Sequence, residues 1–470
     1  MRKSIIKAVS FLFVCVFCSC NSNIDVNNQA DEKINFDDET FASIAEESTS
    51  NLVIKEHYVS QKEEIIRILR GDKSVAIVKL GEPIVVAQAE DVLEWGYFQF
   101  PEIFFVGDGI MMVSWQMKPD SYTVYGEDSN ARLISKDGGL TWVEQDKDYY
   151  DKDNSFIEFK DGNVLQFIYR DSRDTKQYSN FPNPVNSEPL GNRWFYKESE
   201  LPEDLRGVYL EYWDKKTGKI SEIHAHLDDP GLLRYSYSND NLMPLLWNGD
   251  MTELEDGSLV GIKYPGYYQN ADGKVMECGL SVYKSFDKGF NWKRIGKIPY
   301  QLEKGKSPES YVFNGGEGFN ESSFVVLNDG TCLCVIRTGH NTPMYRSFSK
   351  DGGYSWSIPE PFISNGVCPN MLLLNNGVLV LSSGRPGVQL RFNIDGDGIK
   401  WTEPIEMLPF MNENGKYGNN PFVWPTCSYT CLLAEDDHTF YFVWSDFTRK
   451  DTNGEDRKAI MFRKVEVIKR

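Results

Sequence analysis

The chain has 470 residues, of which 69 are Asp or Glu and 50 are Lys or Arg, for a formal net charge of −19. So acidic a composition repels a phosphate backbone and excludes nucleic acid as a partner. The length would fill two or three ordinary domains, and a repeat architecture uses it equally well as one.

Met1-Arg2-Lys3, the apolar run Ile5 to Phe17 and the small pair Ser19-Cys20 have the layout of an export signal. The run is too short to cross a membrane and remain there. Ser19 before Cys20 resembles the bacterial lipoprotein lipobox, which implies a signal over 1–19 and a lipid on Cys20. The protein is then expected in the cell envelope, held to the outer membrane by that anchor. An ordinary signal with a periplasmic or secreted product is the alternative. Residues 20–50 are polar and acidic, as a solvated tether should be, and 51–470 are expected to form a single domain. Beyond the signal stand Cys278, Cys332, Cys334, Cys368, Cys427 and Cys431, without CxxC pairs or nearby histidines. Neither a metal site nor a cofactor is expected, and the thiols read as buried.

From residue 100 onward, two apolar stretches repeatedly flank a two-residue turn, the mark of a β-hairpin. The turns are Asp108-Gly109, Asp161-Gly162, Asp256-Gly257, Asp329-Gly330, Asn376-Gly377 and Asp436-Asp437. Six hairpins with further strand-like runs between them predict an all-β chain, a six-bladed β-propeller of four-stranded sheets. Such a ring avoids an exposed edge when both chain ends share a blade. Ala459 to Ile468 and Ser74 to Lys79 are the candidate partners for that closure.

A second repeat falls later in the same units: Ser135 to Trp142, Ser285 to Trp292, Ser349 to Trp356 and a stretched copy from Asn393 to Trp401. Its S-x-D-x-G-x-x-W pattern resembles the Asp box, or BNR repeat, of the sialidase-like superfamily. Physically it is a tight turn, in which Ser and Asp bind local backbone, Gly takes a left-handed conformation and Trp packs beneath. A calcium loop is the competing reading of Asp395-Gly396-Asp397.

In a four-stranded meander the first and third turns lie on one face, so the working mouth should be the other. At roughly 3.3 Å per residue, side chains about eight places from each hairpin turn reach it. Those positions hold Gln99, Lys118 and Asp120 in the first unit, Arg170 in the second, and Trp247, Asn248 and Asp250 in the third. The later units supply Glu321 and Arg337, Asn370 and Arg385, and Tyr429 with Trp444 or Asp446. Strand ends are also ordinary places for solvated polar groups.

Here the resemblance to exo-sialidases becomes specific. Glu321 with Arg337 matches the carboxylate and second arginine of that family, Gly384-Arg385 the third arginine, and Ser428-Tyr429-Thr430 the nucleophile segment. The resemblance implies a glycoside hydrolase with Tyr429 as nucleophile, Glu321 as its base and Asp120, or Asp128, as acid and base. Arg337, Arg385, Gln99, Arg170, Trp247, Asn248 and Asp250 would bind the glycan. A tyrosine suits an anionic sugar because a neutral phenol approaches it without repulsion. The departure is Phe98-Gln99-Phe100-Pro101, where the family carries arginine and this chain glutamine. A neutral amide cannot replace a bidentate guanidinium. Either Arg170, Arg173 or Lys118 compensates, or the substrate is not sialic acid, and the second is the reading adopted here.

Between Asp171 and Gly207 lies a polar insertion carrying Arg173, Trp194, Phe195 and Tyr196, which reads either as sugar-stacking walls over the mouth or as a passive loop. The whole predicts an exo-acting hydrolase of an extracellular glycan. The alternatives are a non-catalytic glycan-binding propeller and a polysaccharide lyase.

Overall fold

The computed structural model describes residues 52–470 except 60–62, 108, 121–128, 153–154, 191, 238, 246, 248, 301–317, 339–342, 365, 386 and 410–424. The expected signal, Cys20, the tether, Asp108, Asp128 and Asn248 lie outside the described residues. The described chain is all-β, with three single-turn 3-10 helices in one insertion as its helical content.

Each hairpin seen in the sequence opens an antiparallel meander. The first runs Tyr97–Gly107, Ile110–Met117 and Asn130–Ser135, with Val143 bridged to Ile134. The second comprises Phe156–Glu158, Val164–Ile168, Val208–Asp214 and Lys219–Asp228, and the third Met251–Glu253, Leu259–Gly266, Gly279–Ser285 and Asn291–Ile298. A short parallel pairing of His226–Asp228 with Asn291–Lys293 joins these two into one eight-stranded sheet. The fourth is Ser322–Val326, Cys332–Ile336, Met344–Ser349 and Glu360–Ile363. The fifth is Val367–Leu373, Leu379–Gly384, Val388–Asn393 and Ile405–Leu408.

The sixth meander joins both ends of the described chain. Thr430–Ala434, Thr439–Lys450 and Asp456–Lys469 pair in order, and Lys73–Gly81 and Ile84–Gln88 both lie along Asp456–Lys469. Glu63–Arg70 and Leu52–Val59 extend this sheet outward. Apolar alternation explains the pairing. Ala76, Val78 and Leu80 are fully buried, every second residue of one strand, against Val465 and Val467.

The tryptophan-bearing turns lock successive meanders together. In the first copy Ser135 Oγ donates to Asp137 Oδ1 (2.8 Å) and accepts from Gly139 N (2.8 Å), while Trp142 Nε1 donates to Gly139 O (3.1 Å). Gly139 has φ +90°, and a Cβ there would lie 2.2 Å from the Phe462 ring, in the sixth meander. Gly289 likewise lies against Leu165 of the second meander, Gly353 against Val282 of the third and Gly398 against Leu333 of the fourth. Each such turn therefore rests on the meander before it. In the stretched copy Asn393 Nδ2 donates to Asp397 Oδ1 (2.9 Å), and Asp395 is ion-paired with Arg70 (2.6 Å). Asp397 is thus spent on its own turn, as a distorted copy of the repeat requires.

The inner strands are stitched by side chains. Asp250 Oδ2 accepts from Phe324 N (2.7 Å), Ser323 Oγ from Met371 N (3.0 Å) and Asn370 Oδ1 from Leu432 N (3.0 Å). These bonds run from the third meander through the fourth and fifth to the sixth, whose first strand then packs against Tyr97–Gly107.

Candidate active site

Glu321 and Arg337 face one another because their hairpin ladder continues past its named strands, with Arg337 N donating to Glu321 O (2.9 Å). Directly opposed positions share a face of the sheet. Arg337 Nη1 donates to Glu321 Oε1 (2.5 Å), both side chains being almost wholly buried. Tyr429 arrives from the sixth meander, and its hydroxyl donates to the same Oε1. Arg337 Nη1 also stands 3.5 Å from the phenol oxygen. The other carboxylate oxygen accepts from Cys368 N (2.9 Å). One carboxylate is thereby held by a guanidinium, a phenol and a backbone amide, a set that keeps a buried charge satisfied.

Phe100 sets the ring of Tyr429, edge to face at 4.8 Å. Phe100 N in turn donates to Cys427 Sγ (3.4 Å), which fastens the first meander to the Tyr429 segment. Backbone strain gathers here. Phe98, Phe100, Cys368, Arg385 and Ser428 all have positive φ, a conformation that costs bulky residues about 1–2 kcal/mol each. Gly384 approaches so closely that a Cβ would lie 2.3 Å from Ser428 O, bringing Arg385 beside the Tyr429 segment.

Asp120 lies across from this group. Burial pushes its carboxyl up to about 6; the Trp95 indole N–H, Arg385 and Lys118 oppose the rise and Glu321 adds to it. The Trp95 bond to Oδ2 measures 3.0 Å. Arg385 and Glu321 thus act on Asp120 from the fifth and fourth meanders. Tyr429 and Glu321 line a cavity of about 20 Å³, room for about one water, together with Glu102, Asp250, Asn370 and Thr430. Burial raises the Asp250 carboxyl to about 6, against the bonds from Phe324 N and Ser323.

The structure therefore brings together Tyr429, Glu321, Arg337, Arg385 and Asp120, with Gln99 on the adjoining strand. It corrects two other expectations. Trp247 is a core residue, stacked on Phe167 at 4.1 Å, because its indole fills the gap between the second and third meanders. Arg170 is engaged elsewhere, ion-paired with Glu222 (2.9 Å) and lying over the Tyr209 ring. Asp250 stitches inner strands and also lines the cavity with Tyr429 and Glu321. The insertion also differs from a wall of exposed rings. Phe195 is fully buried with Tyr235 and Tyr267, and Tyr196 packs on Leu201, Leu205 and Met243, because the insertion pairs with residues 233–245 and needs a core of its own. Trp95, Phe100 and the Cys368 amide were missed. Trp95 precedes the hairpin by more than the eight-residue rule spans, and a backbone donor leaves no mark on the sequence.

No protein-family model matches the chain, and no curated protein matches it. Among solved structures it is similar to a protein of unknown function from Dyadobacter fermentans, at TM-score 0.52 and 16% identity over 83% of this chain and 99% of that one. That likeness concerns the fold alone. A Hadza microbial sialidase matches at TM-score 0.46 and 14% identity, over 90% and 74% of the two chains. An α-L-arabinofuranosidase of Fusarium graminearum matches at 0.41 and 13%, over 79% and 92%.

Proposed function

We propose that the chain is a retaining exo-glycoside hydrolase built on a six-bladed β-propeller, with Tyr429 as nucleophile. Support for the ring comes from the six meanders, the turns that each rest on the preceding meander, and the closure of the sixth by both chain ends. The single observation that carries the chemistry is the bond of Tyr429 to Glu321 with Arg337 beside the phenol oxygen.

A phenol is a weak nucleophile until its proton has somewhere to go. Glu321 Oε1 takes that proton as the oxygen attacks the anomeric carbon, and Arg337 favours the charge that develops on the oxygen. Asp120, protonated below about pH 6, gives its proton to the departing glycosidic oxygen. The same group, now a carboxylate, draws a proton from the water that releases the sugar, and Tyr429 recovers its own from Glu321. Two displacements at one carbon retain its configuration. Arg385 stands beside the acid from the fifth blade.

An anchor at Cys20 fits this arrangement. Leu52, where the described chain begins, pairs with Arg70, which is bonded to Asp395 in a tryptophan-bearing turn. A tether entering there would leave the face opposite the site, with the mouth directed away from the membrane. The decisive experiment uses activated 2-deoxy-2-fluoro glycosides and peptide mass mapping. A sugar adduct on the Tyr429 peptide is expected; an adduct on another residue, or turnover without any adduct, overturns the assignment.

A further inference from the structure

Gln99 and Gln116 stand directly opposite one another on the first two strands of the first meander, and both side chains are fully buried. Gln116 Nε2 donates to Gly96 O (3.1 Å) and Lys118 O (3.2 Å), the backbone that carries Trp95 and Asp120. Those two carbonyls fix the amide's orientation, so Gln116 Oε1 is turned the other way. That oxygen has no hydrogen-bond partner, and neither has Oε1 or Nε2 of Gln99. A buried polar atom left in this state is costly, and each one calls for an explanation. Gln99 is moreover flanked by Phe98 at φ +58° and Phe100 at φ +52°, and Phe100 is the residue that touches Tyr429. The strained segment therefore holds the two amides next to Phe100, which touches the nucleophile, and next to the backbone that leads to Trp95 and Asp120.

The chemistry of the open positions selects the ligand. Two of the three unpartnered atoms are oxygens, which can only accept hydrogen bonds. A hydroxyl supplies a proton to such an oxygen, whereas a carboxylate has none and is repelled. The nearby cations do not offset this, since Arg337 is bonded to Glu321, and Arg385 and Lys118 face Asp120. We infer that Gln99 and Gln116 read adjacent hydroxyl groups of an uncharged terminal sugar, and that the substrate is a neutral glycoside rather than an acidic one. This rests on the hydrolase reading above and adds the substrate class to it.

The test uses 4-nitrophenyl glycosides of neutral hexoses and pentoses beside the sialoside and the glucuronide. The wild type is expected to favour at least one neutral glycoside over both acidic ones by a hundredfold or more in kcat/KM. Gln99→Met, which keeps the volume and removes both open atoms, is expected to melt no lower than wild type while KM for that glycoside rises at least tenfold and kcat changes less. Gln99→Arg should narrow the gap between neutral and acidic glycosides at least tenfold. Preference for an acidic glycoside, or wild-type KM in a folded Gln99→Met, overturns the inference. Should Gln99→Met not fold, Gln99→Arg decides, an unchanged preference counting against it. Binding of the free neutral sugars to the Tyr429→Phe protein, read by calorimetry, separates the two ideas. Binding that depends on Gln99 without any hydrolysis by wild type would sink the hydrolase reading and keep the specificity.

Discussion

Replacing Tyr429 with phenylalanine removes one oxygen from the centre of the proposed site and little else. The ring keeps its burial and its edge contact with Phe100 at 4.8 Å. Glu321 loses one of three donors but retains Arg337 at 2.5 Å and Cys368 N at 2.9 Å. The expected loss of stability is that of one hydrogen bond to a charged group, about 1.5–3 kcal/mol. Glu321→Ala is harsher, because it removes the carboxylate that is ion-paired with the buried Arg337 guanidinium, at about 3–5 kcal/mol. Catalytically, a reaction that needs the phenol oxygen to attack loses its route. We expect kcat to fall by at least about a thousandfold, equivalent to roughly 4 kcal/mol of barrier. The assay is stopped-flow and steady-state release of 4-nitrophenol from whichever glycoside the wild type hydrolyses, with the melting midpoint of each variant recorded alongside. A Tyr429→Phe protein that folds and turns over within tenfold of wild type would refute the reasoning. So would a loss of activity accompanied by a collapse in stability as large as that of Glu321→Ala, since the hydroxyl would then be acting as a structural strut.

Asp120 as acid predicts a kcat/KM that falls about tenfold per pH unit above about 6, because only the protonated carboxyl donates. Trp95→Phe removes a donor that favours the carboxylate, so the same limb should move to higher pH; movement to lower pH would show that another group is titrating. Asp250 holds its proton up to about 6 in the folded chain against 3.8 ordinarily, so its burial weakens the fold as pH rises from about 4 to 6, by at most about 3 kcal/mol. Asp250→Asn should therefore raise the melting midpoint at pH 8 and leave it unchanged near pH 3.5; equal midpoints at pH 8 would contradict this. Gly139→Ala drives a Cβ to 2.2 Å from the Phe462 ring at a left-handed position, and should destabilise by about 3 kcal/mol, read by denaturant unfolding.

Local chemistry in the sequence is written in short-range rules, and those rules carried far. Asp-Gly and Asn-Gly pairs can hardly do other than turn a hairpin, and the S-x-D-x-G-x-x-W runs bond to themselves within eight residues. Counting strand rise from the turns then placed Glu321, Arg337, Arg385 and Tyr429 at one end of their strands. The same count misjudged Trp247, because it gives how far along a strand a residue lies and not which side of the sheet it faces. It misjudged the aromatic residues of the insertion because their partners, Tyr235, Tyr267 and Met243, come from a connection 40 or more residues downstream of Phe195 and Tyr196.

Sequence by itself determined the strands and the repeated turns, since each depends on residues that are neighbours along the chain. Tertiary structure alone decided that Tyr429 meets a carboxylate 108 residues away, that Trp95 lies against Asp120, and that the Gln99 amide is buried without a partner. The physical reason is that hydrogen bonding and desolvation at these atoms are set by groups from other meanders. Their distance and burial exist only once the chain has closed on itself.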